Sequence, residues 1–249
     1  MTGQSSTSLR SRADAVSARP PRGLANLALL GAFCLLNAPF LARSLYGGSR
    51  SAKLSLLRGL DLPADALPHT GSWKADVGLL TLLARHIARH RPRSIVEFST
   101  GASTLIAARA LERAEIANAR MISFEQHRDF CEETRAWLQG FGIAADIRHA
   151  PLVAAPGGWP GLWYDHGPLP ATIDLLLIDG PPWSIHPFTR SGAATLFDRI
   201  AIGGHVILDD AFRPGERIVA RRWRRAFPDF DFTLLRIGSK GALLGKRLR

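Results

Sequence analysis

From about residue 70 the chain alternates between short apolar runs and longer stretches whose apolar residues recur at three- and four-residue spacing. SIVEF (94–98), MISFE (121–125), ADIRHA (145–150), IDLLLID (173–179) and GHVILDD (204–210) predict strands. The last two are almost wholly apolar along their length, the pattern of a strand covered on both faces in a parallel sheet. Helices are predicted over 75–90, with Val77, Leu79, Leu80, Leu82, Leu83 and Ile87 as its apolar contacts, and over 127–140, with Phe130, Thr134, Trp137 and Leu138 near one face. Residues 100–114 read as a loop entering a helix, and 189–200 and 213–226 as two more helices. DFTLLRIG and KGALLGKRL, joined around Ser239, predict a terminal hairpin. Strands alternating with helices predict an α/β fold: a doubly wound, mostly parallel sheet with helices on both faces and a C-terminal antiparallel hairpin.

Ahead of residue 70 the pattern changes. Residues 1–22 are rich in Ser, Arg and Pro without apolar period, and predict a flexible basic tail. From Gly23 to Ala42 there is no charge at all, so 23–46 reads as a hydrophobic helix about as long as the ~20 residues that cross a bilayer. Three readings stay open for it: a span or membrane-surface helix over 24–42, a helix packed on the domain or a partner, or a signal segment without a clean cleavage pattern. Basic residues flank it evenly, so they set no orientation. Residues 47–69 then read as a linker and 70–249 as the domain, and a chain begun near residue 60 is expected to fold.

Composition narrows the classes. With 46% hydrophobic and 21% charged residues among 249, a sizeable core is available, and a disordered or collagen-like chain is excluded. Two cysteines, Cys34 and Cys131, exclude a disulfide scaffold and any Cys-rich zinc module. The net charge of +11 sits at the ends: 8 basic and 1 acidic residue in 1–60, 11 and 3 in 213–249, against 13 and 17 between them. Such ends suit nucleic acid or an anionic membrane surface, but 28 of the 32 basic residues are Arg, and an Arg-rich composition explains them equally well.

Candidate chemistry gathers where the predicted strands end, the edge at which open α/β sheets bind ligands. Glu97 to Thr104 follow the first strand, Glu125 and Gln126 the second, Asp179 to Pro182 the fourth, and Asp209 and Asp210 the fifth. Buried carboxylates cost several kcal/mol unless paired or hydrogen-bonded, so five converging on one edge point to function rather than core. In Glu97-Phe98-Ser99-Thr100-Gly101-Ala102-Ser103-Thr104, Gly101 permits a tight turn, and Ser103 and Thr104 bond a ligand or cap the helix. Glu125, about 20 residues on, is placed to accept hydrogen bonds from the two hydroxyls of a ribose. No phosphate-binding G-x-G-x-x-G is present.

VEFSTGAST (96–104), ISFEQ (122–126), IDLLLIDGPP (173–182) and GGHVILDDA (203–211) resemble the class I S-adenosylmethionine-dependent methyltransferases over about 70–249. The resemblance implies S-adenosylmethionine as cofactor, with Glu97, Gly101 and Ser103 around its methionine end, Glu125 at its ribose, and Ser99, Thr104 and Gln126 completing the site. Ser99 stands where that family usually has the first glycine of E-x-G-x-G-x-S. Asp179 falls near the methyl group and is the candidate catalytic residue. Carboxylates suit a cofactor whose sulfonium and amino groups are cationic. The chain is also similar to the metal-dependent catechol-type O-methyltransferases, which implies Asp179, Asp209 and Asp210 as ligands of Mg²⁺ or a similar hard cation. In the competing reading Asp209 caps the next helix, Asp210 pairs with Arg213 and only Asp179 faces the cleft.

The expected activity is O-methyl transfer to a small-molecule or surface-attached acceptor, by a cytoplasmic domain tethered to the inner face of a membrane or packed on its own N-terminal helix. The alternatives are a membrane-associated binding protein of the same fold that has lost catalysis, and a nucleic-acid methyltransferase. The last rests on Arg213, Arg217, Arg221, Arg222, Arg224 and Arg225, a helix with no aromatic platform beyond Trp223, so nucleic acid is not the expected partner. Trp73, and Trp163 with Tyr164 in the long 151–172 connection, are either walls of the cleft or loop anchors in the core. His149, His166, His186 and His205 lack metal-ligand spacing, and His205 reads as a core residue.

Overall fold

A computed structural model describes residues 23–249; the basic segment 1–22 lies outside the described residues. Seven strands form the main sheet: β1 (Ser94–Phe98), β2 (Arg120–Glu125), β3 (Asp146–His149), β6 (Ile173–Ile178), β7 (Ile200–Asp209), β8 (Phe230–Leu235) and β9 (Ala242–Arg247), in the order β3-β2-β1-β6-β7-β9-β8. All neighbours are parallel up to β7, and β9 inserts antiparallel between β7 and β8. This is the doubly wound sheet with a terminal hairpin that the pattern predicts. The hairpin turn falls at 236–241, around Ser239 as expected.

Strand alternation divides the core in two. Val96, Phe98, Leu176, Ile178, Val206 and Leu208 pack on one face with Trp223 and Phe197. Ile95, Leu175, Leu177 and Ile207 pack on the other with Leu79, Leu80, Leu83 and Leu105. The second layer comprises α3 (Val77–His90), α4 (Ala102–Arg113) and α5 (Arg128–Gln139); the first is covered by α6 (Pro214–Ala226) and by residues Thr189–Arg199. That last segment, expected as a helix, is a 3₁₀ helix. Its Gly192 lies so close to the Trp163 ring that an added Cβ would stand 2.9 Å from it, and Ser191, Gly192 and Thr195 are weak helix formers. The 151–172 connection holds a short hairpin, β4 (Leu152–Ala154) with β5 (Leu162–Tyr164).

Two features ahead of the sheet differ from expectation. The stretch read as a linker contains α2 (Arg50–Gly59), capped by Ser49 and packed with Leu56 and Leu57 in the α3 core. Leu57 is fully buried, so a chain begun near residue 60 would leave a gap in that core rather than fold unimpaired. The uncharged stretch forms α1 (Leu24–Ser44), whose Phe33 meets the Phe188 ring edge-on at 5.2 Å while Asn37 and Ser44 are buried beside it. Its opposite face, with Leu24, Leu27, Leu35 and Leu36, is exposed. The chain after α1 is pinned to the domain where Ser72 donates to the Ser44 carbonyl (2.6 Å) and Val77 to the Gly47 carbonyl (2.9 Å).

Candidate active site

The turn after β1 is held by a relay of short bonds. The Gly101 N–H donates to Thr104 Oγ1 (3.0 Å), which donates to Glu97 Oε2 (2.7 Å), and Ser123 Oγ donates to the same oxygen (2.7 Å). Glu97 is completely buried, and its Oε1 has no partner among the described residues. Burial pushes its carboxyl up to about 7, against the opposing bonds from Ser103, Ser123 and Thr104. Gly101 has φ 142°, ψ −130°, a conformation open to glycine alone. Ser99 has φ 81°, the left-handed backbone that glycine adopts readily and a serine rarely. Its N–H donates to the Phe124 carbonyl (2.8 Å), which fixes the turn against β2.

Glu125 ends β2 with its carboxylate turned towards this turn. Its Oε2 accepts from the Thr100 N–H (3.2 Å) and Oγ1 (3.4 Å), and its Oε1 from the His127 N–H (3.3 Å). Gln126, next along, lines the cleft with an Oε1 that has no partner among the described residues. The structure thus brings Glu97, Ser99, Gly101, Ser103, Thr104, Glu125 and Gln126 to one edge. Two buried acceptor oxygens there, on Glu97 and Gln126, await donors, which fits a cofactor bearing amino and hydroxyl groups.

The cleft itself is lined by Trp73, Ser99, Gln126, Asp179, Gly180, Pro182, Arg190, Asp210 and Arg213. Asp179, Asp209 and Asp210 meet as expected, with one oxygen of each within 4.8 Å of the others. They do not meet alone. Arg190 Nη1 stands 3.0 Å from Asp210 Oδ2, and its Nη2 is 3.5 Å from Asp179 Oδ1 and bonds the Asp179 carbonyl. Arg213 Nη1 lies 2.9 Å from Asp210, and Lys240 Nζ 3.6 Å from Asp210 and 3.8 Å from Asp209. Glu216, 3.8 Å from Arg190, is a fourth carboxylate. Burial alone would raise Asp210, but Arg213, Lys240 and Arg190 hold it well below the usual carboxylate range. Asp209 is pushed up by burial and by the Asp210 charge, and Glu216 by burial to about 7. Three cations already compensate the carboxylates, so the residues do not fit a divalent ion, whose charge would compete with all three. Nor is the competing reading met in full: Asp210 pairs with Arg213, but Asp209 faces Lys240 instead of capping α6, and Asp210 joins Asp179 in lining the cleft.

Arg190, Lys240 and Glu216 were not legible as site residues. They lie in a predicted helix, a predicted hairpin and an Arg-rich run, and the one signal was that carboxylates meeting at an edge require cations nearby. Of the aromatics, Trp73 lines the cleft, whereas Trp163 and Tyr164 are buried against Phe98 at 4.8 and 5.0 Å between centroids. Of the α6 arginines, Arg213 belongs to the ion-pair cluster, Arg222 lies over the Phe188 ring (4.9 Å) and Arg224 donates to the Phe232 carbonyl (3.0 Å).

No family model and no curated protein matches the chain. Solved structures do. The O-methyltransferase TomG from Streptomyces achromogenes, involved in tomaymycin synthesis and solved with SAM, is 18% identical, with TM-score 0.54 over 91% of this chain and 100% of that one. An O-methyltransferase from Bacillus cereus in complex with SAH is 15% identical, with TM-score 0.52 over 90% of this chain and 99% of that one. The SAH-bound methyltransferase PaMTH1 from Podospora anserina is 14% identical, with TM-score 0.52 over 93% and 99%. The fold shared with them is the Rossmann-like class I methyltransferase fold.

Proposed function

We propose that this chain is an S-adenosylmethionine-dependent methyltransferase that acts on the oxygen of a small acceptor without a metal ion. The observation that carries the reading is the Glu125 carboxylate bonded to the Thr100 N–H beside the Gly101 turn, with unpartnered acceptor oxygens on Glu97 and Gln126 at the same edge. Structures of the same fold solved with SAM or SAH support it. When bound, the cofactor supplies a methyl group activated on a sulfonium. Glu125 would hold its ribose hydroxyls and Glu97 its amino group, while Gly101 lets the backbone approach closely. Asp179, held at its carbonyl and Oδ1 by Arg190, would orient the acceptor hydroxyl and take its proton. Trp73 on the cleft wall gives that acceptor an apolar surface.

Labelled methyl transfer from S-adenosylmethionine to a panel of small hydroxyl compounds tests this. Transfer unchanged by a chelator or by added Mg²⁺ is expected, and activity lost on chelation and restored by Mg²⁺ would overturn the metal-free reading. A second reading, a binding protein of the same fold, is favoured by one observation: the Ser99 side chain adds bulk beside Gly180, where an added Cβ would already lie 2.9 Å from Ser99 Cβ. Cofactor binding without transfer to any acceptor would favour it.

A further inference from the structure

At the opposite edge of the sheet, away from the cleft, three histidines meet. His86 and His90 lie one helical turn apart on α3, and His205 lies on β7 beneath them. Their ring centroids are 4.4 Å (His86–His90), 4.5 Å (His86–His205) and 4.5 Å (His90–His205) apart. One ring nitrogen of each lies within 4.8 Å of the other two. His86 and His205 are buried, 5% and 6% exposed, while His90 is open to solvent. His86 Nε2 is buried without a hydrogen-bond partner among the described residues. Contact between the tilted and edge-on imidazoles does not explain that nitrogen, because a buried ring nitrogen ordinarily has a partner.

We propose that His86, His90 and His205 bind a transition-metal ion, Zn²⁺ by preference, that clasps the C-terminal end of α3 to β7. Three imidazoles with neither thiolate nor carboxylate suit Zn²⁺, Cu²⁺ or Ni²⁺ and not Mg²⁺ or Ca²⁺. Three protein ligands leave a fourth tetrahedral position, which solvent fills on the exposed His90 side. Burial and mutual repulsion hold the rings neutral, the state in which imidazole ligates: His86 is lowered to about 3 and His205 to about 4. The charged groups facing them are Arg89 on α3 and Lys246, the cross-strand partner of His205. Both also oppose a metal ion and weaken its binding. Asp76 fixes the other end of α3, accepting from Leu79 (2.9 Å) and from Ser239 in the hairpin turn (2.7 Å). The clasp would secure the end that Asp76 does not reach. The sequence carries the signal as His86-Ile-Ala-Arg-His90, with His205 its third member rather than an isolated core residue.

The test is calorimetric titration of the untagged, metal-free full chain with Zn²⁺, together with the visible spectrum after Co²⁺ addition. One equivalent is expected to bind, with the intense absorption of tetrahedral Co²⁺ and a rise in melting temperature. His90→Ala, at an exposed position that spares the core, should weaken binding at least tenfold and abolish the melting shift, whereas Asp210→Asn should leave both intact. No binding at low-micromolar Zn²⁺, or binding untouched by His90→Ala, would overturn the proposal. Binding lost in Asp210→Asn instead would move the metal to the carboxylate cluster and overturn it equally.

Discussion

Ser99 shows how one residue can depart from a motif without departing from its geometry. Its φ of 81° is the conformation a glycine would take at little cost, and holding a serine there costs on the order of 1 kcal/mol. Ser99→Gly is therefore expected to raise stability by about that amount in denaturant unfolding, and to tighten cofactor binding rather than weaken it. Glu97 makes a second residue-scale prediction. With Glu97 raised from an ordinary 4.5 to about 7 by burial, the folded chain holds a proton that the unfolded chain releases. Stability contributed by that proton is present in acid and is lost as pH rises from about 4.5 through about 7. Glu97→Gln should flatten this fall by up to ~3 kcal/mol between the two ends, read as unfolding free energy against pH. Glu216, also near 7, leaves a residual slope in that variant. The polar residues at the strand ends were legible because acidic and hydroxyl side chains interrupt apolar runs there. The backbone angle of Ser99 and the partners of Glu97 were not, since both depend on β2 lying alongside β1.

Among elements, the long apolar strands announced themselves, and so did the inserted hairpin. The three-residue strands β4 and β5 are too short to carry a period, and their Gly- and Pro-rich surroundings read as loop. The ten-residue α2 shows only Leu56 and Leu57 to the core, so it read as linker. Removing residues 1–59 should thus lower stability by at least the ~2–5 kcal/mol of a large core truncation, read by thermal or denaturant melts of the shortened and full chains. The 3₁₀ segment makes its contribution through Arg190, the cation on which Asp179, Asp210 and Glu216 converge. Arg190→Met leaves these buried carboxylates short of a counter-charge. It should destabilise the fold by about 3–5 kcal/mol, most strongly above neutral pH, where Glu216 also ionises.

At the scale of the whole molecule, the sheet sets an acidic, hydroxyl-rich edge against a histidine-bearing one, and lays a long apolar helix outside both. α1 is long and apolar enough to cross a membrane by length and composition, yet one narrow face packs on the domain. The length of that helix was legible in the sequence but its packed stripe was not, because Phe33 meets the Phe188 ring, more than 100 positions further along the chain. The central claim concerns the other edge, and calorimetry of the full chain with S-adenosylhomocysteine tests it most directly. The account predicts one binding site, weakened by about 1.5–3 kcal/mol in Glu125→Ala through the loss of charge-assisted hydrogen bonds; a folded chain that binds neither this product nor S-adenosylmethionine would contradict it.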